Sequence, residues 1–307
     1  MSNTNREEAE RLLGLAREAK LHGPDAQIWV ERLSPEKEGL VTAARFLAEN
    51  GEEEAAAELA ANVWRLWLIS GDVAGGRRLL AAALDVGDAK PSRSRALALY
   101  GDGLFAFRAG AQTEARDRNT VALEVARAVG DKEAEALALV GLSRVALRDG
   151  DYARVQSIAA AARELTRELD PAAGAAPLHL LAAGTRLAGD YDEAVRLYAE
   201  SLELSQRLGD SRGVGMELHN MGHVELHRGN VDEAERCFGE CAKVRNQEDP
   251  YEAAMTHLNQ AALAFARGDR ESAAELLTQT RSILEGARIV LDPDDAFEVN
   301  WLEGQMP

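Results

Sequence analysis

The 307-residue chain carries 52 acidic side chains against 35 lysines and arginines, for a formal net charge of −17. That balance argues against binding along nucleic acid phosphates, which needs a clustered basic surface that releases counterions, and it disfavours attraction to anionic membranes. Aromatic residues are few at 5% and alanine is abundant, which favours closely packed helices.

Taken from the N-terminus, MSNTNREEAERLL has no basic region followed by an apolar run, so no secretory leader is expected. Residues 1–50 read as three short helices. Glu7 to Lys20 puts Leu12, Leu13, Ala9, Ala16 and Ala19 on one face and is stopped by His22-Gly23-Pro24. A second helix lies around Gln27 to Leu33. Ser34-Pro35 opens a third, Glu36 to Glu49, which ends at Asn50-Gly51. This segment suits an N-terminal cap on the apolar end of a helical array.

From residue 51 to residue 286 one signal repeats. Gly71, Gly110, Gly150, Gly189, Gly229 and Gly268 follow one another at 39 or 40 residues, and each is followed by Asp, Asn or Ala. Glycine suits the left-handed residue that ends one helix, and Asp or Asn suits the cap of the next. Small residues stand five places after each glycine, at Gly76, Ala115, Ala194, Ala234 and Ala273, with Val155 the exception. Two antiparallel helices approach closely only where such residues meet. Between the pairs lie Gly87-Asp88, Gly130-Asp131, Asp170-Pro171, Gly209-Asp210 and Asp249-Pro250. The prediction is an all-α, right-handed superhelical solenoid of about six helix pairs. After Glu285 the pattern decays, and Pro293 opens a last helix in a C-terminal capping segment, residues 287–307.

Two cysteines, Cys237 and Cys241, sit one turn apart on one helix, where a disulfide is hard to close; they read as packing residues in a reducing compartment. The longest uncharged run, Pro171 to Thr185, is too short to span a bilayer, so the expected location is the cytoplasm.

The repeats resemble the tetratricopeptide repeat superfamily, most clearly in Gly189-Asp190-Tyr191-Asp192-Glu193-Ala194, with a period longer than that family's 34-residue unit. A narrower resemblance covers residues 27–84: Trp29-Val30-Glu31-Arg32-Leu33, Leu40 with Ala43-Ala44-Arg45, Trp64-Arg65-Leu66-Trp67 and Gly75-Gly76-Arg77-Arg78-Leu79-Leu80. These look like the start of the helical sensor region in large bacterial regulators of the LuxR and antibiotic-regulatory ATPase type. Gly39 stands where those regulators usually have Asn. The chain has no Gly-Lys dipeptide for a phosphate-cradling loop and no candidate DNA-reading helix after the repeats, so it resembles the sensor part alone.

In a repeat of this kind the first helix of each pair lines the concave surface. That points Met216, His219, Asn220, His223 and His227 toward the groove, and the period aligns Asn220 with Asn259 and Asn62. The family resemblance implies that an asparagine here hydrogen-bonds a bound peptide's backbone; the alternative is that it bridges neighbouring helices. Arg65, Arg108, Arg144, Arg148 and Arg186 fall late on first helices, where they suit an acidic segment or a terminal carboxylate, or simply complement the helix dipole. His219, His223 and His227 stand at i, i+4 and i+8; two such histidines can bind a metal, but catalytic sites typically add a third ligand and a base, and a polar groove wall or partly buried histidines are the favoured readings. Nucleophile elbows, dinucleotide fingerprints and paired-cysteine metal motifs are missing from the sequence.

These readings converge on a non-enzymatic adaptor or regulatory module that binds a protein or extended peptide on its concave face, through Asn220, Asn259, His219, His223, Arg186, Arg144 and Asn62. No cofactor, metal, nucleic acid or membrane partner is expected. The alternative is a stand-alone sensor that closes its groove on a small effector; a metal-dependent enzyme is the least favoured reading.

Overall fold

The structure, a computed structural model, describes residues 2–23, 25–85 and 90–306, with the side chains of residues 2–4 left aside; Pro24 and the predicted Gly87-Asp88 breaker lie outside the described residues. The described residues hold seventeen α-helices and two short 3-10 turns. They divide into two compact units, residues 1–145 and 146–307, a division that falls inside one helix and not at the borders of sequence pattern near residues 50 and 286. No described helix is long and apolar enough to cross a membrane.

The first unit opens with α1 (Ser2–Glu18), α2 (Ala26–Leu33) and α3 (Lys37–Glu49). These share one core with the first repeat pair, through Leu12, Leu40, Leu47, Leu59, Trp67 and Leu80, all at most 2% exposed. The first helix of that pair is broken at Trp64 into α4 (Glu53–Val63) and α5 (Arg65–Ile69), and α6 (Val73–Leu84) is the second helix. Next come α7 (Arg93–Arg108) with α8 (Gln112–Val129), then α9 (Lys132–Arg148), which crosses from the first unit into the second. In the second unit α10 (Tyr152–Thr166) is followed by three pairs: α11 (Ala175–Leu187) with α12 (Tyr191–Leu208), α13 (Ser211–His227) with α14 (Val231–Val244), and α15 (Pro250–Ala266) with α16 (Arg270–Gly286). Helix α17 (Pro293–Gln305) closes the chain.

The turns form for the reasons the repeat predicts. All six turn glycines have φ between 68° and 89°, the left-handed region that a side chain strains. Asp72, Asp151, Asp190 and Asp269 cap the following helices by accepting from the backbone N–H three residues on. Asn230 makes no such cap; its Nδ2 donates to Glu225 Oε2 at 2.6 Å. Close approach explains the small positions. A Cβ on Gly76 would stand 2.3 Å from the Phe105 ring, and one on Gly222 would stand 2.2 Å from Phe238. Where the pattern has Val155 in place of a small residue, the facing helix supplies Gly184, whose added Cβ would lie 2.7 Å from Val155. Cys237 and Cys241 are free and buried, and burial pushes the Cys237 thiol up to about 11, as suits packing residues.

Candidate functional site

Five of the seven candidate residues come together in the second unit, and what they face is the chain's own last helix. Arg186 leaves α11 with its side chain 0% exposed. Its Nη1 donates to Asn220 Oδ1 at 2.7 Å on α13, and its Nη2 donates to the Asp294 carbonyl at 3.2 Å. The Glu298 carboxylate stands 3.7 Å away and that of Asp294 3.9 Å. One turn of α13 then follows another. His219 Nε2 meets Asp295 Oδ1 at 2.9 Å, while His223 Nδ1 and His227 Nε2 lie 3.4 Å and 3.0 Å from the same Glu298 oxygen. On α15, Tyr251 donates its hydroxyl to Asp295, and Asn259 Oδ1 meets His223 Nε2 at 3.1 Å.

The segment predicted as a C-terminal cap makes both apolar and polar contacts. It packs Val299 and Leu302 into the core of the last pair, and it also lays Asp294, Asp295 and Glu298 against side chains from the first helices of three successive pairs. An aromatic edge accompanies the carboxylates: His227 is stacked on Tyr191 at 5.2 Å and meets the Trp301 ring edge-on at 4.7 Å.

The electrostatics follow from burial. Burial alone would push the Glu298 carboxyl up, but His223, His227 and Arg186 outweigh it and hold the group well below its ordinary range. Asp294 goes the other way, pushed up to about 6 by burial and then by the neighbouring Asp295 charge. His219 is held well below its ordinary value, first by burial and then by His223. Its Nε2 faces Asp295, and its Nδ1 has no hydrogen-bond partner. Beside this cluster, Glu217, 1% exposed, accepts from Ser201 at 2.8 Å and pairs with His179 at 3.1 Å. Among the described residues no three His, Cys, Asp or Glu side chains group as metal ligands.

Asn220 and Asn259 thus hold neighbouring helices and imidazoles together; Asn220 Nδ2 also donates to the Met216 carbonyl at 3.0 Å. The other two candidates belong to the first unit. Arg144 donates to the Tyr100 hydroxyl at 3.3 Å, and Asn62 is exposed on α4. The residues missed by sequence reasoning are Tyr251, Asp294, Asp295, Glu298 and Trp301. The i, i+4 pairing of Asp294 with Glu298, on the face that also carries Val299 and Leu302, was the available signal.

Helices paired around glycine turns, with the first helices of three successive pairs presenting polar side chains to the last helix, define an α-helical repeat protein. The tetratricopeptide repeat model matches residues 215–286, so the chain carries tetratricopeptide repeats there, inside a fold of the tetratricopeptide kind. No curated protein matches the sequence. Among solved structures the chain is similar to a Rap protein complexed with Competence and Sporulation Factor, at 14% identity and a TM-score of 0.65 over 98% of this chain and 80% of that one. It is similar to NprR in complex with its cognate peptide NprX, at 16% identity and a TM-score of 0.61 over 97% and 82%. It is also similar to pilF of Pseudomonas aeruginosa, at 16% identity and a TM-score of 0.52 over 81% and 99%.

Proposed function

We propose that this chain is a non-enzymatic regulatory or adaptor module that binds a protein or peptide partner on the concave face formed by the first helices of the second unit. One observation carries the reading: Arg186, His219, Asn220, His223 and Asn259 converge, directly or through one another, on the carboxylates of a single acidic helix. A surface that binds α17 by three carboxylates and an aromatic edge is suited to a partner segment of the same chemistry. Helix α17 then acts as a resident substitute, and the partner displaces it. The fold agrees with this, since two of the similar structures are named as complexes with a factor or cognate peptide.

The test uses a labelled synthetic peptide of residues 292–305 and the full chain with Asp295→Asn and Glu298→Gln, which loosen the resident helix. Fluorescence anisotropy is expected to give this variant a binding step that the unaltered chain lacks, and adding Arg186→Ala is expected to remove it. If the loosened chain gains no new step while circular dichroism remains helical, the face is not a recognition surface.

A further inference from the structure

The turn glycines give every first helix a common register. His223 stands six residues before Gly229, and His219 ten before it; these two meet Glu298 and Asp295 in the second unit. In the first unit the position six before the glycine is Arg65 on α5 and Arg144 on α9, and the position ten before Gly110 is Tyr100 on α7. Three successive first helices therefore present two guanidiniums and a phenol at the register that receives carboxylates in the other unit.

These groups are neighbours. Arg144 Nη1 donates to the Tyr100 hydroxyl at 3.3 Å, the Tyr100 ring meets Trp64 edge-on at 6.0 Å, and the Arg65 guanidinium lies 4.7 Å from the centre of the Trp64 ring. Both arginines are half-buried, and Trp64 and Tyr100 are buried at 3% and 4% exposure. What differs from the second unit is the counter-charge. No carboxylate among the described residues lies within ion-pair distance of Arg65 or Arg144, although most arginines of this acidic chain have one. The carboxylate whose charge reaches Arg65, Glu133, is already held by Arg93 at 2.7 Å. Burial, together with the Arg144 charge, works against the charged form of Arg65, with Tyr100 and Glu133 acting the other way. Two cations kept partly out of water beside each other, with aromatic walls and no anion, are arranged for an anion supplied from outside.

We infer that Arg65, Arg144 and Tyr100 form a second recognition site, on the first-helix face of the first unit, for the carboxylates of an acidic peptide segment. The two guanidiniums take the carboxylate oxygens, the Tyr100 hydroxyl adds a third donor, and Trp64 flanks the segment. The site goes beyond the face proposed for the second unit and does not depend on it, because all of its residues belong to the first unit.

The test uses the unaltered full chain, so that α17 keeps the second unit filled, with the synthetic peptide of residues 292–305 as the acidic probe. Arginine-specific modification by phenylglyoxal, read by mass spectrometry, is expected to slow at Arg65 and Arg144 when the probe is added, with no slowing from a probe carrying Asn, Asn and Gln in place of its three inward acids. The full chain with Arg65→Gln and Arg144→Gln is expected to bind the probe at least about tenfold more weakly, the equivalent of one lost charged hydrogen bond. Unchanged modification of both arginines at millimolar probe would overturn the proposal, as would equal affinity of the unaltered and double-variant chains. Protection by succinate as strong as by the peptide would overturn the peptide assignment and leave a small-carboxylate site. A failure in the second unit's binding step leaves these readouts untouched, since they report residues of the first unit.

Discussion

The first-helix faces of the two units are built to one register and end in opposite electrostatic states. In the second unit the charged residues on that face find partners on α17, and Arg186 is buried completely as a result. In the first unit Arg65 and Arg144 stay half-buried beside aromatic rings. The difference shows what a buried charge requires. Arg186 can leave water because Asn220 Oδ1, the Asp294 carbonyl and two carboxylates replace its hydration, whereas Arg65 and Arg144 keep part of theirs.

The largest expected effect breaks that contrast at its centre. Arg186→Ala leaves Glu298 buried without a guanidinium, and hydrogen exchange across α13 and α17 is expected to report a loss of about 3–5 kcal/mol. Arg186→Lys is expected to recover only part of it, since an ammonium does not span both Asn220 and the Asp294 carbonyl. Next comes Glu298→Gln, at about 2–3 kcal/mol. Because the Glu298 carboxyl is held below its ordinary value, the stability it contributes is present above about pH 4.5 and is lost as pH falls through its depressed value. The pH profile of α17 exchange should therefore flatten in the variant.

Asp294→Asn should act with the opposite sign. Its carboxyl is raised to about 6 from an ordinary 3.8, so ionisation opposes the folded state fully above pH 6 and not at all below pH 3.8. The variant is expected to be about 3 kcal/mol more stable at pH 7.5, with the gain fading as pH falls from 6 toward 4, measured by urea unfolding. The smallest effect sharpens the comparison from the other side. Arg65→Gln and Arg144→Gln break no ion pair, so each should change stability by less than about 1 kcal/mol, the scale of the cation–π contact with Trp64 and of a single hydrogen bond.

The repeat was legible because glycine spacing encodes backbone geometry directly: the six glycines must lie at turns with positive φ, and they do. Even the exception at Val155 was a local matter, resolved by Gly184 on the facing helix. The break of the first repeat helix at Trp64 left no such mark in the pattern, since Arg65 is a good helix former and Trp64 itself keeps right-handed helical dihedrals. The site was half legible. Register put Arg186, His219 and His223 on first helices, and their charge type suits the acidic side chains they meet on α17. It did not give the occupant, because the meeting of Glu298 with His227, 71 positions earlier, depends on where a connecting loop places a helix and not on any periodicity. Asn62 shares the register of Asn220 and is exposed on α4. The likeness of residues 27–84 to regulator sensor regions rests on sequence alone.

The six residues between α16 and α17 have a kinetic and thermodynamic meaning of their own. A segment held on so short a tether meets its own binding face at an effective concentration on the order of millimolar. A free acidic segment present at micromolar levels thus competes from about a thousandfold behind, even with identical contacts. On the proposed reading the second unit ignores weak, scattered acidic sequences and responds only to a partner that is much tighter, multivalent, or locally crowded, so the length of that tether sets the threshold of the response.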